Sequence, residues 1–167
     1  MGTLIPVISF VGRHNSGKTT LLSQVINHLS QLGYKTAVVK HAPHTLNIEP
    51  RKDSERLYQA GADFVMASSP ELAITYCRQE QELDFSEILK QIPEDIDLII
   101  VEGFKNEPLD KIEVLRQEID PVPMLLPKTR ALITDINMPV DLPVFSFSQC
   151  AEITDFILRF LKVDLPG

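Results

Sequence analysis

The sequence has two cysteines, no tryptophan and no long apolar segment, and these shortages exclude several protein classes. Cys77 and Cys150 lie far apart in the chain, which excludes a disulfide framework and predicts two reduced thiols. No uncharged apolar run is longer than roughly six residues, whereas a helix needs about 20 to cross a bilayer. The N-terminus shows no basic region followed by an apolar core, so we expect no signal peptide, no membrane contact and a cytoplasmic protein.

Positive charge is also scarce. The chain has 16 lysine and arginine residues against 23 aspartate and glutamate residues, a formal net charge of -7. Proteins that bind nucleic acid through a basic surface have the opposite balance. We therefore expect no nucleic acid partner, and any anionic ligand must be held by a local site. With 167 residues, 44% of them hydrophobic and 23% charged, the composition predicts a single globular domain over residues 1–167.

Short apolar runs rich in β-branched residues alternate with segments of helical periodicity. This alternation predicts a three-layer α/β fold, in which helices cover both faces of a mostly parallel sheet. Pro70 separates two of the runs and predicts a hairpin, so some strands are expected to be antiparallel. The expected strands are 7–11, 36–40, 63–67, 72–76, 98–101, 111–115, 131–134 and 143–145, and the expected helices are 19–32, 53–60, 85–92 and one that buries Ile153, Phe156, Ile157, Phe160 and Leu161.

The segment 111–115 alternates charged and apolar residues like a strand with one face in water. We expect it at an edge of the sheet. One alternative is that the charges of Lys111, Glu113 and Arg116 protect this edge without any partner. The unpaired backbone groups of an edge strand can pair with another chain. This strand and the 63–77 hairpin are therefore expected to contribute to a two-fold interface, and Val114→Pro is expected to yield monomer.

The strongest chemical signal is the pattern GxxxxGK[ST] between an expected strand and an expected helix. Its two glycines allow a sharp turn and a close approach, so that successive N–H groups converge on phosphate oxygens at a helix N-terminus. Lys18 would reach the β- and γ-phosphates and act in catalysis. The expected nucleotide-binding residues of this loop are Gly12, Arg13, His14, Asn15, Ser16, Gly17, Lys18, Thr19 and Thr20.

Magnesium binding needs a carboxylate that faces the hydroxyl of Thr19. Glu102 follows the apolar strand 98–101 at the edge where open α/β sheets bind ligands. We expect Glu102 to hold Mg²⁺ or to orient the attacking water, with a solvated loop acid as the alternative. Asp97, before that strand, is expected at the surface. Asp53 is a further candidate that would act on the metal through water, and its alternative role is to cap the next helix.

The loop after the second expected strand is rich in cationic and imidazole side chains. It contains Lys40, His41, His44, Arg51 and Lys52. Because it leaves the sheet at the same edge as the phosphate loop, we expect Lys40 and His41 to contact an anion such as the γ-phosphate. His41 and His44 alone are a weak pattern for a transition metal, because no further ligand has suitable spacing.

The sequence indicates which base the nucleotide carries less clearly than it indicates phosphate binding. Guanine presents N1–H and N2–H₂ side by side, and one carboxylate can accept both donors, whereas adenine has no such pair. The Asn-Lys-x-Asp motif that supplies this carboxylate in common GTPases is absent. Asp135 follows the expected strand 131–134 and is the best substitute, with a turn aspartate as the alternative.

Together and in this order, these motifs resemble the molybdopterin-guanine dinucleotide biosynthesis protein B (MobB) family over about residues 6 to 135. The resemblance rests on GxxxxGKTT, Lys40-His41-x-x-His44, Lys52-Asp53-Ser54 before Ala60-Gly61-Ala62, and Asp97-Leu98-Ile99-Ile100-Val101-Glu102-Gly103-Phe104-Lys105. One position departs from the family, since Arg51 stands where a glycine is usual, in a somewhat shortened loop.

The resemblance implies a P-loop NTPase-like fold and a homodimer that binds GTP with Mg²⁺ and hydrolyses GTP weakly. It also implies an accessory role for the guanylyltransferase that attaches GMP to molybdopterin, in which nucleotide or molybdopterin is handed over. An ATP-dependent small-molecule kinase or a dethiobiotin-synthetase-like enzyme remains open, because such enzymes also pair a phosphate loop with an apolar strand that ends in Glu-Gly. The segments Lys40-His41-x-x-His44 and Gly103-Phe104-Lys105 favour the first function.

Overall fold

Strands and helices alternate along the computed structural model, which describes residues 5–42, 48–49 and 51–166. The strands are β1 (Val7–Val11), β2 (Thr36–Lys40), β3 (Phe64–Ser68), β4 (Ala73–Cys77), β5 (Leu98–Glu102), β6 (Lys111–Leu115), β7 (Thr129–Thr134) and β8 (Val144–Phe145), and the helices are α1 (Lys18–Gln31), α2 (Asp53–Gln59), α3 (Phe85–Leu89) and α4 (Cys150–Leu161). Two compact units are present, Met1–His41 with Leu89–Gly167, and Ala42–Ile88. The single domain over residues 1–167 stays a prediction.

A six-stranded sheet forms the first unit. The strand order is β2-β5-β1-β6-β7-β8, and every neighbouring pair is parallel. The inner strands β1 and β5 are almost wholly buried, which agrees with their continuous apolar runs, because a parallel sheet covered on both faces needs such strands. The predicted α/β fold with a mostly parallel sheet is confirmed. Since all six strands run the same way, their carboxyl ends meet at one edge of the sheet.

Helices α1 and α4 pack together against one face of this sheet. The apolar periodicity of the α1 segment predicts a buried stripe, which is confirmed at Leu21, Leu22, Val25 and Leu29. The prediction is wrong for Leu32, which is 44% exposed. The helix begins directly after Gly17, which has a φ of 87°, and Gly33 follows its end with a φ of 90°. Glycine adopts these left-handed conformations without strain, so the two residues fix both ends of α1.

Helix α4 departs from prediction at one position. Ile153 and Ile157 are fully buried, as expected, but Phe160 remains 37% exposed. Its ring stacks on that of Phe156 with centroids 5.8 Å apart, and the guanidinium of Arg130 lies 5.6 Å from its centroid. The prediction that Phe160 is buried is therefore wrong. The apolar stripe of α4 is wider than the face that contacts the sheet.

The second unit contains α2 and a hairpin of β3 and β4, whose antiparallel pairing is confirmed. The ring of Tyr58 on α2 packs on that of Tyr76 on β4 with centroids 5.7 Å apart, and the Tyr76 hydroxyl donates to Glu55 at 3.3 Å. The other carboxylate oxygen of Glu55 accepts the N–H of Lys52, the residue before the helix, at 2.9 Å. The prediction of Asp53 as the cap is therefore wrong, because Asp53 is already the first helical residue.

Strand β6 lies between β1 and β7 in the interior of the sheet, so the prediction of an edge strand is wrong. All its residues are buried, including Lys111 and Glu113, which are 2% and 1% exposed. The Lys111 ammonium donates to two loop carbonyls at 2.6 and 2.8 Å. The Glu113 carboxylate accepts two loop N–H groups at 2.6 and 2.9 Å. An interface through the β6 ladder is excluded, because strands of the same chain already occupy both of its sides.

Three smaller findings complete the fold. Helix α3 ends at Leu89, three residues before its predicted end. Cys77 and Cys150 are both free thiols, as predicted. Over the part of the chain that the structure describes, no helix is both long enough and apolar enough to cross a bilayer.

Candidate functional site

Three strands of the first unit end side by side at the carboxyl edge of the sheet. The register pairs Phe10 of β1 with Glu102 of β5, and Glu102 with Lys40 of β2. The segment between β1 and α1, which carries the GxxxxGK[ST] pattern, therefore begins next to Glu102 and Lys40. This edge was predicted from the sequence as the ligand side of the sheet.

The two glycines of the loop are required by its surroundings. A Cβ on Gly12 would overlap the carbonyl oxygen of Val114 on β6, and a Cβ on Gly17 would lie 3.2 Å from the guanidinium of Arg116. Asn15 has a φ of 61°, a left-handed conformation that asparagine tolerates better than most residues. The loop thus follows a tight path across the ends of β1 and β6.

Lys18, the first residue of α1, reaches back over the loop. Its ammonium donates to the carbonyls of Gly12 at 3.1 Å and Arg13 at 2.7 Å, and to the Ser16 hydroxyl at 3.5 Å. Burial lowers the pKa of Lys18, and the nearby Glu102 carboxylate opposes that shift. The result is a half-buried cation held against the backbone of the predicted phosphate loop.

Thr19 and Glu102 are brought together as the sequence predicted. The Thr19 hydroxyl lies 3.0 Å from each carboxylate oxygen of Glu102, and the Lys40 ammonium lies 3.5 Å from one of them. The side chain of Glu102 is only 12% exposed. A solvated loop acid, the alternative for Glu102, does not fit this burial. Its role towards a metal or water stays a prediction.

His41, which directly follows β2, contacts Glu102 through its backbone. Its backbone N–H donates to the Glu102 carbonyl at 2.9 Å, and its ring centroid is 4.8 Å from that of Phe104. Phe104 has a φ of 51°, an unusual conformation for a bulky residue that structures tolerate mainly at special sites. Phe104 was not among the predicted binding residues, although it stands in the segment on which the family resemblance rests.

The other predicted loop residues differ in exposure. Arg13 pairs with Asp120 at 3.0 Å, and His14 and Thr20 are exposed, whereas Ser16 is buried. Within the described residues, no group of three or more His, Cys, Asp or Glu side chains is arranged to hold a metal ion.

Asp135 lies just beyond β7 at the same edge. One of its carboxylate oxygens accepts the N–H of Gln117, which follows β6, at 2.9 Å. Asp53 belongs to the second unit, where its carboxylate lies 3.7 Å from the guanidinium of Arg56. Its part in metal binding stays a prediction, and His44 lies outside the described residues.

Sequence reasoning missed Arg116 as a neighbour of the loop. Its Nε donates to the Ser16 carbonyl at 3.3 Å, and its guanidinium carbon lies 4.2 Å from the ring centroid of Phe147. The sequence contained a signal, since Arg116 directly follows a strand and strand ends meet at this edge. The signal was lost because β6 was expected at the sheet edge, away from β1.

Most of the chain is similar in sequence to proteins of a known family. The model of the family described as molybdopterin guanine dinucleotide synthesis protein B (MobB) matches residues 7–136. The Escherichia coli protein named molybdopterin-guanine dinucleotide biosynthesis adapter protein is 31% identical over 96% of this chain and 95% of its own length. The Haemophilus influenzae protein of the same name is 30% identical over 96% of this chain and 92% of its own.

A solved structure shows the same architecture. The crystal structure of Bacillus subtilis MobB covers 95% of this chain and 99% of its own, with a TM-score of 0.74 and 25% identity. This likeness and the parallel sheet confirm the predicted P-loop NTPase-like α/β fold.

Proposed function

The chain belongs to the MobB family, and on that basis we propose that it is a GTP-binding adapter protein of molybdopterin guanine dinucleotide biosynthesis. The biosynthetic role and the adapter role are supported by relatives that are named molybdopterin-guanine dinucleotide biosynthesis adapter proteins. The GTP and Mg²⁺ ligands, weak hydrolysis, the guanylyltransferase partner and the homodimer are parts of the proposal.

The observation that carries the proposal is the pairing of Thr19 with Glu102. Two ligands at neighbouring corners of an octahedral Mg²⁺ site, each about 2.1 Å from the metal, are about 3.0 Å apart. The Thr19 hydroxyl is 3.0 Å from each Glu102 oxygen, so the two groups fit adjacent positions around the ion. A bound Mg²⁺ would neutralise phosphate charge. Both ligands are oxygen atoms, which Mg²⁺ prefers, whereas softer metals prefer nitrogen and sulfur ligands.

Phosphate binding is supported by the loop and by Lys18. The loop leads into the N-terminus of α1, where backbone N–H groups and the helix dipole favour an anion. The Lys18 ammonium already lies against the loop backbone, and a short movement would take it to a phosphate oxygen. Lys40, paired with Glu102 at 3.5 Å, adds a second cation on the side where we propose that the γ-phosphate lies. His41 lies beside Glu102 on that same side.

We assign hydrolysis, which we expect to be weak, to Lys18 and Glu102. Lys18 would stabilise charge that develops on the β- and γ-phosphates, and Glu102 would hold the metal or orient the attacking water. The low exposure of the Glu102 side chain supports this role, because a carboxylate screened from bulk water acts more strongly on a bound ion.

We assign guanine selection to Asp135. An ionised carboxylate offers about four lone-pair positions, and one oxygen of Asp135 accepts the Gln117 N–H at 2.9 Å. That bond fixes the orientation of the carboxylate and leaves acceptor capacity for the paired donors of guanine. Gln117 directly follows Arg116, which contacts the loop at Ser16, so the base and phosphate ends of the proposed site share one segment.

We propose a guanylyltransferase as the partner, with molybdopterin as a further ligand, and a homodimer as the active form. Because β6 lies between β1 and β7, the proposed dimer interface does not include that strand. The 63–77 hairpin remains in the proposal, because Phe64 and Met66 are 57% and 59% exposed. Large exposed apolar side chains that lie close together mark interaction surfaces.

Calorimetric titration of the wild-type protein with GTP, GDP and ATP, each with and without Mg²⁺, tests the proposal. We expect tighter binding of GTP than of ATP, Mg²⁺-dependent binding of the triphosphate, and slow release of inorganic phosphate. Adding the guanylyltransferase and molybdopterin tests the adapter role through the rate of guanylyl transfer.

Binding of ATP in preference to GTP would contradict the proposal. It would favour a kinase or a dethiobiotin-synthetase-like enzyme, in particular if a small acceptor stimulated ATP consumption. A protein that binds no nucleotide at all would contradict both functions.

A further inference from the structure

The structure places the Arg116 side chain against the backbone of the predicted phosphate loop, at the end of β6. Its Nε donates to the Ser16 carbonyl at 3.3 Å. Two of its guanidinium nitrogens lie 3.2 Å from the point that a Cβ on Gly17 would occupy. The side chain therefore contacts the loop at the peptide unit that joins Ser16 to Gly17.

A second contact fixes the guanidinium from another direction. Its carbon lies 4.2 Å from the ring centroid of Phe147, within the range of a cation–π interaction. Phe147 packs at the margin of the main core. Arg116 thus joins the loop to the core, with the Ser16 carbonyl at one end and an aromatic ring on a buried cluster at the other.

The geometry of a peptide unit converts this contact into an effect on the opposite face of the loop. The unit is planar and trans, so its C=O and N–H point in opposite directions. A donor that holds the Ser16 carbonyl therefore also directs the N–H of Gly17 away from Arg116. Rotation of this peptide would turn an acceptor towards the ligand in place of a donor.

We propose that Arg116 is a positioning residue of the phosphate site, which holds the Ser16–Gly17 peptide so that the Gly17 N–H faces the phosphate, with Phe147 as its brace. This inference rests on the proposed nucleotide-binding function. Arg116 would act through the loop, without touching the nucleotide. A larger residue at position 17 would crowd the guanidinium, in addition to the strain of a φ of 87°.

Arginine suits this role better than lysine. Its guanidinium is planar, remains charged at every physiological pH, and combines several donors with a flat face that stacks on an aromatic ring. A lysine ammonium is a compact point charge without that face. Arg116→Lys is therefore expected to recover only part of what Arg116→Ala loses.

The experiment compares Arg116→Ala, Arg116→Lys, Phe147→Leu and the double variant Arg116→Ala/Phe147→Leu with the wild-type protein. Affinities for Mg²⁺-GTP and for inorganic triphosphate are measured by calorimetry at two salt concentrations. Hydrogen–deuterium exchange is followed over residues 12–20 without ligand. Arg130→Ala is the matched control, because Arg130 also lies over a phenylalanine ring, Phe160, at 5.6 Å, but has no contact with the loop among the described residues.

We expect Arg116→Ala to weaken GTP and inorganic triphosphate by the same factor, about ten-fold, as for the loss of a charged hydrogen bond. Exchange over the loop should be faster, and Arg130→Ala should change neither measurement. Phe147→Leu should weaken binding less, and it should have no further effect when Arg116 is already alanine. The losses should persist at high salt, where long-range charge is screened.

Unchanged affinity in a folded Arg116→Ala protein would overturn the inference. So would a loss for GTP with none for inorganic triphosphate, because Arg116 would then act on the base or ribose. Full recovery of affinity in Arg116→Lys would also overturn the inference, because the positive charge alone would then account for the effect of Arg116. A wild-type protein that binds neither GTP nor inorganic triphosphate would contradict the proposed function. Hydrogen–deuterium exchange over residues 12–20 would then test whether Arg116 positions the loop. Unchanged exchange in Arg116→Ala would contradict that role.

Discussion

The hydroxyl of Thr19 lies 3.0 Å from both carboxylate oxygens of Glu102, although 83 positions separate the two residues in the chain. Thr19 stands in the first turn of α1 and Glu102 ends β5, so the contact depends on both elements meeting at one edge of the sheet. It is the relationship on which the proposed Mg²⁺ site rests.

Replacement of Lys18 by alanine should weaken GTP binding by about ten-fold or more, as expected for a charge-assisted contact worth about 1.5–3 kcal/mol. Hydrolysis should be lost, whereas the fold should persist, because the side chain contacts only the loop. Calorimetry, phosphate release and circular dichroism measure these effects. Lys35→Ala is the control, since Lys35 is an exposed lysine paired with Asp95. Wild-type affinity in a folded Lys18→Ala protein would refute the phosphate-loop assignment.

GTP affinity should also depend on pH through Lys18. Burial lowers the pKa of this ammonium, and only its protonated form attracts phosphate. Affinity should therefore fall as the pH rises through that lowered pKa, which lies below the ordinary value of 10.5. Lys18→Ala should lack this part of the decline. A decline of equal size in both proteins would assign it to another group.

Replacement of Glu102 by glutamine should reduce hydrolysis more than binding. The amide keeps the size of the side chain and one acceptor oxygen but loses the negative charge that holds a metal or orients water. Initial rates of phosphate release and calorimetric affinities, both with Mg²⁺, separate the two effects. Glu118→Gln is the control at an exposed position. A variant that hydrolyses GTP at the wild-type rate would make Glu102 a structural acid only.

Replacement of Asp135 by asparagine should reduce the preference for GTP over ATP. An amide cannot accept both donors of guanine, because its nitrogen is itself a donor. The affinity ratio of GTP to ATP, measured by competition, should fall, whereas ATP affinity alone should change little. Asp141→Asn tests an exposed aspartate elsewhere in the chain. An unchanged ratio would contradict guanine selection by Asp135 and would leave it as a turn residue that accepts the Gln117 N–H.

Replacement of Val114 by proline should now disrupt folding rather than release a monomer. Val114 lies in β6, which pairs with β1 and β7, and proline within an inner strand removes a ladder hydrogen bond. Circular dichroism and analytical ultracentrifugation distinguish the outcomes. Val122→Ala, at an exposed loop position, should leave both unchanged. A folded, monomeric Val114→Pro protein would instead restore the edge-strand interpretation.

Much of the local structure was predictable, because it depends on residues close together in the sequence. The strand before Gly12, the helix after Gly17 and its end at Gly33 follow from apolar periodicity and from glycine conformations. The proximity of Thr19 and Glu102 was also predictable, since parallel strands bring their carboxyl ends to one edge.

The sequence by itself determined most of the secondary elements, the loop motif and the meeting of Thr19 and Glu102 at one edge of the sheet. The tertiary structure alone decided the order of the strands. A buried strand whose Lys111 and Glu113 are satisfied by loop backbone has the same alternation as a strand with one face in water. Local periodicity cannot separate the two, because the groups that satisfy those charges come from distant segments. For the same reason only the structure places Arg116 beside Ser16 and Gly17.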